Sequence, residues 1–323
     1  MKPQKIEISS KTIVFFIFFI LMLWFFWQIK ELLISLLIAF IIAGALSPFV
    51  DFLEKKKIPR SLASLFVYFI FIFVFFNLFY LVIPPLIGEV VHLAKTLPAL
   101  INDEQLKQFF PYLEISSLTN NLPNLTAGFF DFVKSIFSNV FFIITTLFFG
   151  YYLLADKNFI EEALKIFYPD EKAKKISHII NIAQKKASLW FWAEIFLMTV
   201  IGGLTYIGLT IFNIKYALPL AVIAGLLEIV PTIGPIVSAV PAVIIGLSYS
   251  LEFGLIMAGL YIVIQQLENN LIVPLVMKKI TGLHPIVVLI SLIIGSKLAG
   301  ILGAVIAVPT VVFLKTFLIE WQK

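Results

Sequence analysis

TIVFFIFFILMLWFFW, Thr12 to Trp27, decides the fold class. It is sixteen residues of almost unbroken aliphatic and aromatic side chains. A second run of the same kind extends from Leu62 to Phe76. Strands of a membrane barrel alternate apolar and polar residues over short stretches. These runs do not alternate, so they read as helices. The rest of the chain agrees. Of 323 residues, 61% are hydrophobic and only 13% charged. Soluble domains are roughly 45–50% apolar and about 25% charged. So few charges cannot cover this much apolar surface in water, whereas a bilayer covers it with lipid. The expectation is an all-α, polytopic membrane protein with about 7–8 membrane-crossing segments.

Working outward, a span needs about 20 mostly apolar residues. Candidates run from Thr12 to Trp27, Leu32 to Val50, Ser61 to about Ile83, about Ser135 to Ala155, Leu189 to Phe212, and Phe253 to Met277. The basic start resembles a signal peptide, but Trp24 to Trp27 stand where small cleavage-site residues belong, so the first run reads as a retained span. Residues 86–134 carry both charge signs and Pro98, Pro111 and Pro123, and read as an extracytoplasmic helical insert. Residues 156–188 are lysine-rich with Ile176, Ile179, Ile180 and Ala183 at helical spacing. They read as an amphipathic helix on the cytoplasmic leaflet. The whole chain, 1–323, reads as a single transmembrane domain.

Lysines orient it. Lys2, Lys5 and Lys11, then Lys55 to Lys57, the 156–188 segment, and Lys278-Lys279 all fall on one side when the spans are counted. The positive-inside rule makes that side the cytoplasm, with both termini there and the inner membrane as the location. The net charge of +5 is therefore explained without nucleic acid.

Two stretches are ambiguous. Tyr216 to Ser250 is interrupted by PTIGP (Pro231 to Pro235), Pro241 and Gly246. His284 to Leu318 is interrupted by Gly295, Gly300, Gly303 and Pro309. Each reads as two spans or as one re-entrant hairpin, and either choice leaves every lysine on the same side. As hairpins they would enter from opposite sides, and SAVPAV (238–243) echoes IAVPTV (306–311). Paired broken segments point to transporter binding sites.

The candidate site follows from polar residues inside apolar runs, where an acid costs about 3 kcal/mol at the bilayer centre. Glu228 stands three residues before Pro231, with Gly234 and Pro235 following. Unwound backbone at membrane depth survives only inside protein or along water. Glu228 therefore reads as a proton carrier or cation ligand, or else as a turn residue at the membrane surface. In QQLENN, Gln265, Glu268 and Asn269 share one helix face, with Gln266 and Asn270 adjoining. This cluster reads as a polar path or as glue between helices. Glu194 reads as an interfacial residue snorkelling or pairing with Lys185 or Lys186, and Lys297 as a partner for Glu228. Asn77 reads as packing glue and His284 as a helix-start residue.

No HExxH, GxSxG or GxxxxGK[ST] motif is present, and there is no cysteine. The expectation is no enzyme, no cofactor and no metal centre.

At these motifs the sequence resembles the autoinducer-2 exporter family. The residues that carry the likeness are EIVPTIGPIVSAVPAVIIGL (228–247), QQLENNLIVPLVM (265–277), GLHPIVVL (282–289), GILGAVIAVP (300–309) and FIIAGALSPFVDFLEKKKIPRSLA (40–63). The resemblance implies a secondary transporter, homo-oligomeric, in a prokaryotic cytoplasmic membrane. It implies export of a small polar solute such as autoinducer-2, or exchange of sodium or lithium for protons. Family members often carry an amide where Glu228 stands, a departure that favours cation and proton chemistry here. A passive channel and a non-transporting scaffold stay open as alternatives.

Overall fold

The computed structural model describes residues 10–77, 80, 140–214, 216–230, 233–277, 280 and 282–323. The 86–134 insert, Pro231 and Lys278-Lys279 lie outside the described residues. The described chain is helical throughout. Its helices are α1 (Ser10–Gln28), α2 (Lys30–Lys55), α3 (Arg60–Asn77), α4 (Val140–Ala155), α5 (Phe159–Lys165), α6 (Asp170–Ile211), α7 (Ala217–Leu227), α8 (Ile233–Tyr249), α9 (Leu251–Leu267), α10 (Val273–Met277) and α11 (Pro285–Trp321). A π-helical turn, Glu268–Ile272, joins α9 to α10.

Six helical stretches among the described residues are long and apolar enough to cross a membrane, or seven if α4 and α5, bent by 89°, are counted as one broken span. The protein is a polytopic α-helical membrane protein. None of α1's apolar stretch is buried, so its side chains face outward all round, as a lipid-facing helix requires.

The 170–188 segment does not form a separate helix. It is the first part of the 42-residue α6, continuous with the span. At 1.5 Å per residue α6 is about 63 Å long, twice the ~30 Å hydrocarbon core. Ala173, Ile179, Ala183 and Ala187 on this part are buried, so its apolar stripe packs on protein instead of lipid.

The two broken stretches each fold back on themselves, but not at every expected breaker. Pro241 sits inside α8 and Pro309 inside α11. The first chain reversal lies between α7 and α8, after Glu228. Gly234 is required there, because a Cβ would lie 1.9 Å from the Leu227 carbonyl oxygen. The second lies inside α11 at Ala299–Gly300, where Gly300 takes φ +60°, a value that suits glycine. Its two limbs then lie side by side. A Cβ on Gly295 would meet the Gly303 carbonyl oxygen at 2.3 Å, and Lys315 Nζ donates to the Gly282 carbonyl at 2.6 Å. With 11 residues, α7 is about 16 Å long, half of what a crossing needs.

The described helices meet in three bodies of core. Ala43, Leu46, Val50, Ala63, Tyr68 and Leu154 join α2, α3 and α4. Leu209, Leu220, Ala224, Ile245, Met257 and Tyr261 join α6, α7, α8 and α9. Trp190 of α6 packs on Leu292, Val308 and Val312 of α11, with Val230 from the first reversal against them.

Candidate functional site

Small residues let α6 and α7 approach closely. A Cβ on Gly225 would lie 2.7 Å from the Met198 carbonyl oxygen, and one on Gly202 3.2 Å from that of Ala221. This seam brings the end of α7 against the middle of α6. Glu228 is the C-cap of α7, where the helix ends because the chain must turn into PTIGP. Glu268 opens the π turn, an irregularity frequent at functional sites.

Three carboxyl groups converge here. Glu194 is 3% exposed, Glu228 1% and Glu268 2%. The Glu228 and Glu268 carboxyls lie at hydrogen-bonding range of each other, and Glu194 lies within electrostatic reach of both. Gln265 Nε2 donates to Glu268 Oε2 at 3.3 Å. Among the described residues no donor reaches either Glu194 carboxyl oxygen or Glu228 Oε2. None of the three forms an ion pair with a lysine, arginine or histidine among those residues.

The chemistry follows. Carboxylates only accept hydrogen bonds, so a hydrogen bond between two carboxyls requires a proton on one of them. Burying an ionised carboxylate costs several kcal/mol unless a partner compensates. The C-terminal end of α7 adds partial negative charge beside Glu228. Everything in the cluster asks for a proton or a small cation. No three His, Asp or Glu among the described residues are spaced to cage one metal ion.

The predicted residues divide. Glu194, Glu228, Glu268 and Gln265 come together, and Gly234 and Pro235 are buried beside the reversal. Gln266, Asn269 and Asn270 are exposed, with Asn270 donating to Gln266 at 2.7 Å. Asn269 thus does not share the buried face of Gln265 and Glu268, since the π turn re-phases the helix from Glu268 onward. Lys297 is exposed and forms no ion pair with Glu228 among the described residues. Glu194 does not snorkel. Lys185 lies nine residues before it, about two and a half turns, and so on the opposite face of α6. His284 accepts from the Ile286 amide through Nδ1 at 3.3 Å as the N-cap of α11. Asn77 donates to the Phe73 carbonyl of its own helix.

Two buried hydroxyls escaped the sequence reading. Thr205 Oγ1 and Tyr261 Oη have no hydrogen-bond partner among the described residues. Thr205 stands eleven residues past Glu194, about three turns, and Tyr261 seven before Glu268, about two turns. Each therefore shares a face with a carboxyl, and that spacing was the available signal.

The model of the AI-2E family transporter matches residues 13–323. The chain belongs to the AI-2E transporter family. Among relatives of this transporter, one named "Putative transport protein YueF" from Bacillus subtilis (strain 168) is 31% identical over 314 residues, covering 90% of this chain and 85% of its own. YrrI of the same organism, similarly named, is 26% identical, covering 95% and 92%. MT0215 of Mycobacterium tuberculosis (strain CDC 1551 / Oshkosh), named in the same way, is 26% identical, covering 90% and 83%. The matched range, 13–323, contains the acid-bearing helices of this transporter.

Proposed function

We propose that this chain is an ion-coupled secondary transporter that moves a small polar, autoinducer-2-like solute out across the cytoplasmic membrane. Proton binding at the Glu228–Glu268 pair drives the cycle, and Glu194 adds to the local demand for positive charge. The observation that carries this reading is the convergence of three buried carboxyl groups, with no base beside them among the described residues, where two helices are interrupted. The exported class follows the family's description.

The two helical hairpins act as re-entrant elements entering from opposite sides, and motion of one past the other opens the site to one face at a time. The short α7 and the side-by-side limbs of α11 support this. The lysine distribution supports cytoplasmic termini. The exposed amides of Gln266, Asn269 and Asn270 on an apolar helix support assembly with further copies that cover them.

A second reading, sodium or lithium exchange for protons, is favoured by the same three carboxyls, which suit a monovalent cation as the transported species. Purified protein in liposomes under opposed sodium and proton gradients separates the two, with wild type and Glu228→Gln side by side. Proton movement driven by sodium and lost in the variant assigns cation exchange. Proton movement only with an autoinducer-2-type solute, lost in the variant, assigns coupled export. Equal coupling in Glu228→Gln sinks both.

A further inference from the structure

On the face of α6 opposite Glu194 lies a cavity of about 610 Å³, between α2, the start of α3, the end of α4, α5 and the first half of α6. It sits where Lys55, Lys157 and Lys185 gather, at the end of the bundle away from the apolar middle. Its charges are not all alike. Arg60 is taken, donating to Asp51 at 2.7 Å, Glu54 at 2.8 Å and the Leu154 carbonyl at 3.1 Å. Lys157 stands 4.0 Å from Asp51, and Asp156, the second acid of the lining, accepts from the Asn158 amide at 2.9 Å. Lys55 and Lys185 have no ion-pair partner among the described residues, and so leave positive charge at the rim. Ser47 and Asn181 add neutral donors beside them.

The wall is of a different nature. Leu153, Ile160 and Phe52 line it, and Phe52 is 57% exposed, which carries the apolar surface out of the cavity onto the outer side of α2. Pro48 in the middle of α2 has no amide hydrogen to give the Gly44 carbonyl, one turn earlier on the same wall. A free inorganic anion would use the cationic rim and leave the apolar wall bare. A molecule with a phosphate diester head and an acyl body matches both. Basic pockets between membrane helices on the cytoplasmic side take such headgroups.

We propose that this cavity binds the headgroup of an anionic glycerophospholipid, with Lys55 and Lys185 holding the phosphate and the acyl chains running out past Phe52. The site is separate from the acidic cluster, being on the other face of α6.

Native mass spectrometry of the detergent-solubilised full chain tests it, with phosphatidylglycerol, phosphatidylcholine and inorganic phosphate added separately. The expected result is retention of phosphatidylglycerol over phosphatidylcholine, reduced about tenfold in the Lys55→Gln/Lys185→Gln variant. Retention should return in Lys55→Arg/Lys185→Arg and stay unchanged in Lys172→Gln/Lys174→Gln, whose lysines lie off the cavity. Both altered lysines are exposed, and matching size-exclusion profiles establish that the variants are folded. Undiminished phosphatidylglycerol in the double Gln variant overturns the proposal. So does equal retention of phosphatidylcholine, or inorganic phosphate displacing the lipid at equal concentration, which would make the site one for a free anion.

Discussion

Two groups of acids lie in this molecule, and they live in opposite circumstances. Asp51 and Glu54, at the end of α2, are 39% and 45% exposed and share Arg60. Glu194, Glu228 and Glu268 are sealed among α6, α7 and α9 with no base among the described residues. The first group closes a corner, since Arg60 also ties α3 to the last carbonyls of α4 through Leu154. The second has no such structural return for its burial cost. An acid that is wet and paired fixes a fold, whereas one that is dry and unpaired is kept for what it binds.

The largest effect expected is at the dry group. Glu228→Gln, or Glu268→Gln, should bring coupled proton movement in liposomes down to the level of protein-free vesicles while the protein still elutes as a folded species. Next comes the seam that assembles the group. Gly225→Leu forces a side chain into the Met198 carbonyl, and should cost about 1–3 kcal/mol, read as a lower midpoint of thermal unfolding in detergent. Gln265→Leu removes the donor to Glu268, and should slow transport about five- to tenfold, the equivalent of one hydrogen bond. At the wet group, Arg60→Gln should cost about 1–2 kcal/mol of stability, because its acids can turn to water, and should leave ion coupling in place. Smallest of all is Lys165→Gln. The Glu161 pair raises the lysine's pKa at an exposed site, so losing it should leave the unfolding midpoint unmoved.

The spans were legible because lipid demands long apolar runs. Hairpin geometry was not, because re-entry and crossing leave Lys278-Lys279 on the same side. The contact of Gly295 with Gly303, a tertiary fact, decides that the limbs of α11 lie together. Glu228 announced itself through the prolines beside it. Glu194 was misread because Lys185 and Lys186 are near in sequence, while helical phase turns Lys185 to the far face. Asn269 was misplaced because its assignment assumed an unbroken α-helix, and the π turn begins one residue earlier.

The contrast between the two acid groups is tested most directly by one paired measurement. Initial rates of gradient-driven proton movement are compared in liposomes carrying equal amounts of Glu228→Gln and Arg60→Gln protein, against wild type. The account predicts no movement above protein-free vesicles for Glu228→Gln and at least about half the wild-type rate for Arg60→Gln, whose lost interactions act on stability. Full activity in Glu228→Gln together with loss in Arg60→Gln would contradict it, and would move the working charges to the end of α2.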